Sequence, residues 1–292
     1  MASFLKLDST NLVQDGYNST WKYSFPGSAA DFKDVACAVQ SISIYNSEYN
    51  IDAAQFWNNS FKIEVPTAAT TSTISITLPD GIYSYSDIHR SIQTALVNAG
   101  AYLIDSSGNN VFFIQLSENS LYYAAQFDFS ATPTTLPTAG GTWTRPSTGL
   151  YSSGGTGLPT TTRVPRIIID NAAFGKVVGL TAGTYPSAPT TVASAQLSNI
   201  IPQIHPTSSY IVRCDLIKNQ YVASGDILSA FDRGDAAQVG QLITYKPIQY
   251  AWMNCHNGSR LSITISIYNQ NDQKVKFRDT SVSIMLLLRP KT

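Results

Sequence analysis

The chain of 292 residues has little charge: 13% of it is Asp, Glu, Lys or Arg, where globular domains average about 25%. Nineteen basic residues balance nineteen acidic ones. A protein that binds nucleic acid by neutralising phosphates needs a basic surplus, so that class is disfavoured. A disordered tail needs high charge and few aromatics, yet aromatics make up 11% here. Only three residues are glutamate (Glu48, Glu64 and Glu118), which leaves the chain poor in helix formers. There is no apolar run near the ~20 residues that a membrane span requires. No basic segment followed by a long apolar one opens the sequence, so no secretory signal is read. Cysteine is scarce too. Cys37, Cys214 and Cys255 form no CxxC pair, and their apolar settings indicate reduced, buried thiols rather than a disulfide framework. That composition suits synthesis in a reducing compartment.

In place of charge stand hydroxyl residues, roughly a fifth of the chain as Ser and Thr, together with Tyr, Val and Ile, the strand formers. Period-2 alternation dominates both ends. Phe61, Ile63 and Val65 alternate with Lys62 and Glu64, and Ile74, Ile76 and Leu78 with Ser75 and Thr77. Tyr210, Val212, Cys214 and Leu216 repeat the pattern, as do Leu261, Ile263, Ile265 and Ile267. Each reads as a half-buried strand. Between Val35 and Tyr45 the apolar phase changes from odd to even positions, which predicts a β-bulge near Gln40-Ser41. The last strand, from Val282 to Leu288, becomes continuously apolar, as expected of a central strand covered on both faces. Strands are expected at about 18–25, 34–45, 60–65, 72–78, 208–217, 238–246, 260–270 and 280–288. Two groups of four antiparallel strands are what a jelly roll requires.

Between the groups the pattern differs. A helix is predicted over 86–99, with Ser86 as cap, Asp87 in the first turn and Gly100 as stop. Its apolar stripe is Ile88, Ile92, Ala95, Leu96 and Ala99. A hairpin is expected from 111–116 and 121–129 around residues 117–120. From Ser130 to Thr162 the chain is Thr/Pro/Gly/Ser-rich with Arg145 as its only charge, which reads as a surface loop or extended arm outside the core. A short strand at 164–169 and a second Pro/Ser/Thr stretch at 183–195 follow. The expected fold is therefore all-β: an eight-stranded antiparallel jelly roll from 1–78 and 205–292, with a β-rich insertion at 79–204 carrying one helix.

The search for chemistry gives no catalytic, cofactor or metal site, and the chain is not expected to be an enzyme. His89, His205 and His256 are scattered and lack metal-ligand spacing. Cys255 and His256 are adjacent, and adjacent strand residues face opposite ways. Gly154-Gly155-Thr156-Gly157 lacks the strand-then-helix context of a dinucleotide site. Arg233-Gly234-Asp235 admits an adhesion reading, against which a polar turn is favoured. Sequons at Asn18, Asn58 and Asn257 mark exposed polar loops. Lys274, Lys276 and Arg278 read as a solvated strand face, and Tyr122, Tyr123, Phe127 and Phe129 as core-filling residues of the hairpin.

Four segments carry a resemblance. They are Leu78-Pro-Asp-Gly-Ile-Tyr-Ser-Tyr-Ser-Asp-Ile-His-Arg-Ser-Ile-Gln-Thr-Ala-Leu96, Val177-Val-Gly-Leu-Thr-Ala-Gly-Thr-Tyr-Pro186, Pro206-Thr-Ser-Ser-Tyr-Ile-Val-Arg-Cys-Asp-Leu-Ile217, and Ile265 to Asp279 with its closing apolar strand. Together these resemble jelly-roll capsid proteins of polinton-like viruses, virophages and adintoviruses, nearest to the minor capsid, or penton, protein. The resemblance implies a structural subunit of the virion, made in a reducing host cytoplasm or nucleus. It would close icosahedral five-fold vertices as a pentamer beside a neighbouring major capsid protein, without binding nucleic acid through a basic patch. It implies no site residues and no cofactor. The alternatives are a double jelly-roll major capsid protein forming trimers, and a carbohydrate-binding jelly roll with a glycan receptor as partner. A cupin-like enzyme is disfavoured, since three isolated histidines do not supply the usual metal triad.

Overall fold

A computed structural model describes residues 3–68, 70–222, 224–234 and 239–291. The labelled elements, in chain order, are β1 (Ser3–Asp8), β2 (Thr20–Ser24), β3 (Val35–Tyr45), β4 (Ser60–Pro66), β5 (Thr71–Thr77), α1 (Tyr85–Ala99), β6 (Ile114–Asn119), β7 (Ala124–Phe129), β8 (Arg166–Ile169), α2 (Ala172–Val178), β9 (Gly183–Tyr185) and β10 (Ser194–Leu197). They continue with β11 (Tyr210–Cys214), β12 (Ile227–Phe231), β13 (Leu242–Tyr245), β14 (Ser262–Asn269) and β15 (Ser283–Pro290). The chain divides into two compact units, residues 1–49 with 206–292 and residues 50–205.

The first unit is an antiparallel jelly roll. One sheet runs β1-β15-β3-β13, extended by the two-residue strand Met253–Asn254 beside β3; the other runs β12-β11-β14-β2. Apart from β11 and β12, which pair within one sheet, successive strands of the roll alternate between the two sheets, and their inward residues meet in one core. Tyr210, Val212, Ile263, Ile265 and Ile267 come from one sheet and Leu7, Ile42, Ile284 and Leu286 from the other, all nearly inaccessible to solvent. Apolar alternation at period 2 dictates this, because every second side chain points to the same face. The predicted bulge is present. Met285 pairs with Ser41 and Leu286 with Val39, so Gln40 is the extra residue and the apolar phase is restored beyond it. β15 lies between β1 and β3, as expected of a central strand, but it is not buried on both faces: on the side away from the core only Leu287 is buried, while Met285 and Arg289 are half-buried.

The second unit holds a four-stranded sheet, β9-β8-β4-β5, and a three-stranded sheet, β10-β7-β6. α1 packs Tyr85, Ile88, Ile92 and Leu96 into their common core. Its cap is Ser84 rather than Ser86. The Ser84 hydroxyl accepts from the Asp87 N–H while the Asp87 carboxylate accepts from the Ser84 N–H, a reciprocal capping box. Gly100 ends the helix in the left-handed conformation (φ 62°), where a Cβ would strike the Thr148 carbonyl. Phe61 of β4 stacks on Phe174 of α2, with ring centroids 4.3 Å apart.

Several expectations are corrected. Strands 60–66 and 71–77 belong to the second unit, so the division falls at Asn50 and not at 79. The roll's eight strands instead include Ser3–Asp8 and Ile227–Phe231, which the alternation did not flag. The predicted strand 238–246 is observed from Leu242, and its first residue, Gln238, lies outside the described residues. The insertion carries two helices, the second capped by the Asn171 side chain and closed by Gly179. The hairpin is displaced by about three residues: Tyr123 adopts positive φ (48°) in the turn, so Leu121, Tyr122 and Tyr123 form an exposed tip. Segment 130–162 is irregular but not wholly on the surface. Tyr151 is fully buried and donates to the Pro66 carbonyl at 3.0 Å, and Leu158 is buried as well.

Candidate functional site

Where the chain leaves and rejoins the roll lies a buried polar cluster that period-based reading did not single out. Glu48, just beyond β3, is 5% exposed. Its backbone bridges Phe277. Its carboxylate accepts from the Thr207 hydroxyl, from the Tyr210 hydroxyl at 3.0 Å and from the Arg233 guanidinium at 3.0 Å. Arg233 Nε donates in turn to the Tyr210 oxygen at 3.1 Å. Burial pushes the Glu48 carboxyl up, against the downward pull of these donors. Chemically the cluster is closed: each carboxylate oxygen is occupied and the cation is committed. Physically it ties the strand leaving the roll at Glu48 to the segment re-joining it at Thr207 and Tyr210. Asn50 does the same for the second unit. Its amide donates to the carbonyls of Tyr83 (2.7 Å) and Ile204 (2.8 Å) and its oxygen accepts from the Tyr83 N–H (2.8 Å).

This cluster bears on Arg233-Gly234-Asp235. An adhesion triplet must present its arginine, and here Arg233 is turned inward onto Glu48 with its side chain 17% exposed. Asp235 lies outside the described residues.

The cysteines are free and buried. Burial raises all three thiols, Cys214 to about 12 and Cys255 to about 11. They remain thiols at neutral pH and are poor nucleophiles. His89 Nδ1 accepts the Leu116 N–H at 3.2 Å, and burial lowers its pKa, so the ring is neutral there. His256 is exposed on the loop after β13, with its backbone bonded to Leu216. Among the described residues no group of three or more His, Cys, Asp or Glu is placed to hold a metal ion. No described helix is long and apolar enough to cross a membrane.

The sequons divide. Asn257 is exposed, but Asn58 is buried, its amide donating to the Asn50 carbonyl at 2.7 Å and its oxygen accepting from Asp52 N–H at 3.0 Å. The expectation of an exposed loop at Asn58 is therefore wrong, because both polar ends of that side chain hold the 50–58 turn together. The basic trio is not simply solvated either. Lys274 pairs with Asp15 and lies 5.4 Å from the Tyr17 ring centre, and Lys276 lies 5.2 Å from that of Tyr49. Of the hairpin aromatics, Phe127 and Phe129 fill core as expected, whereas Tyr122 and Tyr123 are exposed.

The roll also presents apolar residues on its margins. Phe4 on edge strand β1, Leu242 on edge strand β13 and Ile248 in the following segment are all exposed. An edge strand offers unpaired N–H and C=O groups, so such margins are natural contact surfaces.

No protein-family model matches the chain, and no curated protein matches it. Among solved structures the chain is similar to the selenomethionine-labelled mavirus penton protein, known from a crystal structure. Identity is 8%, the TM-score is 0.46, and 99% of each chain is covered.

Proposed function

We propose that this chain is a structural subunit of a viral capsid. In this reading it is a minor capsid, or penton, protein that self-assembles into pentamers at icosahedral five-fold vertices, beside a major capsid protein and within the virion. One observation carries the reading: residues 3–49 and 206–290 complete an eight-stranded roll, and all of 50–205 leaves it as a single insertion between β3 and β11. A single jelly roll is what the resemblance to penton proteins implies. The strand order of residues 50–205, in sheets of four and three with two helices, does not repeat the roll. This favours a single-roll over a double-roll subunit. The low surface charge supports close packing, since few charges need be desolvated at contacts. Exposed Phe4, Leu242 and Ile248 supply apolar surface at the roll's edges.

Native mass spectrometry of the purified full chain tests the proposal. A pentamer is expected. A trimer would overturn the penton assignment in favour of a major capsid subunit. The exposed pair Tyr122 and Tyr123 favours a second reading, carbohydrate binding, because tyrosine rings stack on sugars. Glycan-array binding lost in Tyr122→Ala, by a chain that does not self-assemble, would establish that reading instead.

A further inference from the structure

At one end of the roll, where β3 begins and β11 and β15 end, the loops enclose a cleft of about 590 Å³, a volume within the range of ligand sites. Lys218, Lys291 and His256 line it, together with Tyr221, Trp252 and Asn254; no described lining residue is acidic. In a chain with so little charge this is a local concentration of basic residues. Among the described residues neither lysine has an ion-pair partner, whereas Lys6, Lys62 and Lys274 do. Three acids stand near it without lining it: Asp34, whose backbone holds Asn257 and Lys291, and Asp215 and Asp226, which line the depression on the other side of Lys218 and His256. Asp215 accepts there from the Thr264 N–H, and Asp226 lies 3.9 Å from Arg213.

The frame of the cleft is built in advance. Lys218 N–H donates to the Asn254 carbonyl and His256 N–H to that of Leu216, both at 2.8 Å, lacing the two loops together. The Asp34 N–H donates to the Asn257 side chain and the Lys291 N–H to the Asp34 carbonyl, which fixes the backbone at Lys291 against them. The Arg289 guanidinium sits 4.0 Å from the centre of the Trp252 ring, and its Nε is buried without an acceptor. The guanidinium thus places positive charge behind the Trp252 ring, although Arg289 itself does not line the cleft.

We propose that this cleft binds an acidic peptide segment of a partner protein, its carboxylates held by Lys218 and Lys291 and an adjoining apolar side chain resting against Trp252. Two lysines and a histidine match a short run of carboxylates. They do not form the basic track that a phosphate backbone needs. The amides of Asn254 and Asn257 suit a peptide backbone, and the aromatic walls suit a side chain beside the charge. The inference stands independently of the capsid reading, because it rests on the cleft alone.

The test titrates the full chain calorimetrically with a blocked peptide of alternating Asp and Leu, its Asn-for-Asp twin, and a short oligothymidylate. The acidic peptide is expected to bind and the neutral twin not. Lys218→Glu and Lys291→Glu should each weaken binding on the order of tenfold, and the Gln variants by less. Both lysines are exposed, so circular dichroism should show the variants folded. Equal binding of the twin, unchanged affinity in both charge reversals, or no heat at millimolar peptide would overturn the proposal. So would tighter binding of the oligothymidylate with the same lysine dependence.

Discussion

Replacing Arg233 by Met tests the buried cluster most directly. The side chain keeps an unbranched apolar stem but loses the guanidinium. Glu48 then loses its ion pair at 3.0 Å, and the Tyr210 oxygen loses the donor at 3.1 Å. The carboxylate stays buried with only the Thr207 and Tyr210 hydroxyls for company. Stranding a buried charge in this way costs about 3–5 kcal/mol. For a domain of this size that corresponds to a fall in Tm of roughly 10–20 °C. The effect has a signed pH dependence. Burial already raises the Glu48 pKa, so in the window between the ordinary carboxylate value and the folded value the native state binds the proton more tightly. Its contribution is greatest below the unfolded pKa and is lost as pH rises through the folded one. Removing the cation raises that pKa further, and the variant should therefore lose more stability at pH 8 than at pH 5. Urea denaturation at the two pH values measures this, and Glu48→Gln in the Arg233→Met background should recover most of the loss at pH 8. An equal loss at both pH values, or a loss under about 1 kcal/mol, would show that the pair is not desolvated as described.

Two further outcomes are expected. Phe174→Ala removes the ring stacked on Phe61 in the second unit and should destabilise by about 3–5 kcal/mol; hydrogen exchange should locate the loosening in residues 50–205, and uniform protection there would contradict the packing. The three buried thiols should resist a maleimide reagent in the native protein and react on denaturation, with intact mass counting three labels. Labelling at the rate of a free thiol in native buffer would refute their burial.

Local elements were legible where one physical rule sufficed. The bulge at Gln40 followed from a change of apolar phase, because a face can be restored only by an unpaired residue. α1 followed from its stripe and from Gly100, although the cap was two residues off, since Ser84 and Ser86 are equally good acceptors by type. β1 was missed because Phe4 faces solvent and blurs the alternation of Leu5 and Leu7. β12, Ile-Leu-Ser-Ala-Phe, has no clear period, being paired only along β11 at the sheet margin. The cluster at Glu48 could not be found by spacing at all, for its carboxylate and Arg233 stand 185 positions apart.

What the sequence determined by itself was class and chemistry of surface. Period-2 alternation, scarce glutamate and balanced charge demand antiparallel sheets with polar outer faces, whatever their arrangement. Only the tertiary structure decided which sheet each strand joined. Alternation says that a face is buried, not against what, so β4 and β5 could be assigned to the roll on paper while packing on the core of the insertion in fact. The same holds for polar residues. Asn58 and Arg233 resemble loop residues by type, and they are buried because partners distant in sequence satisfy each donor and acceptor.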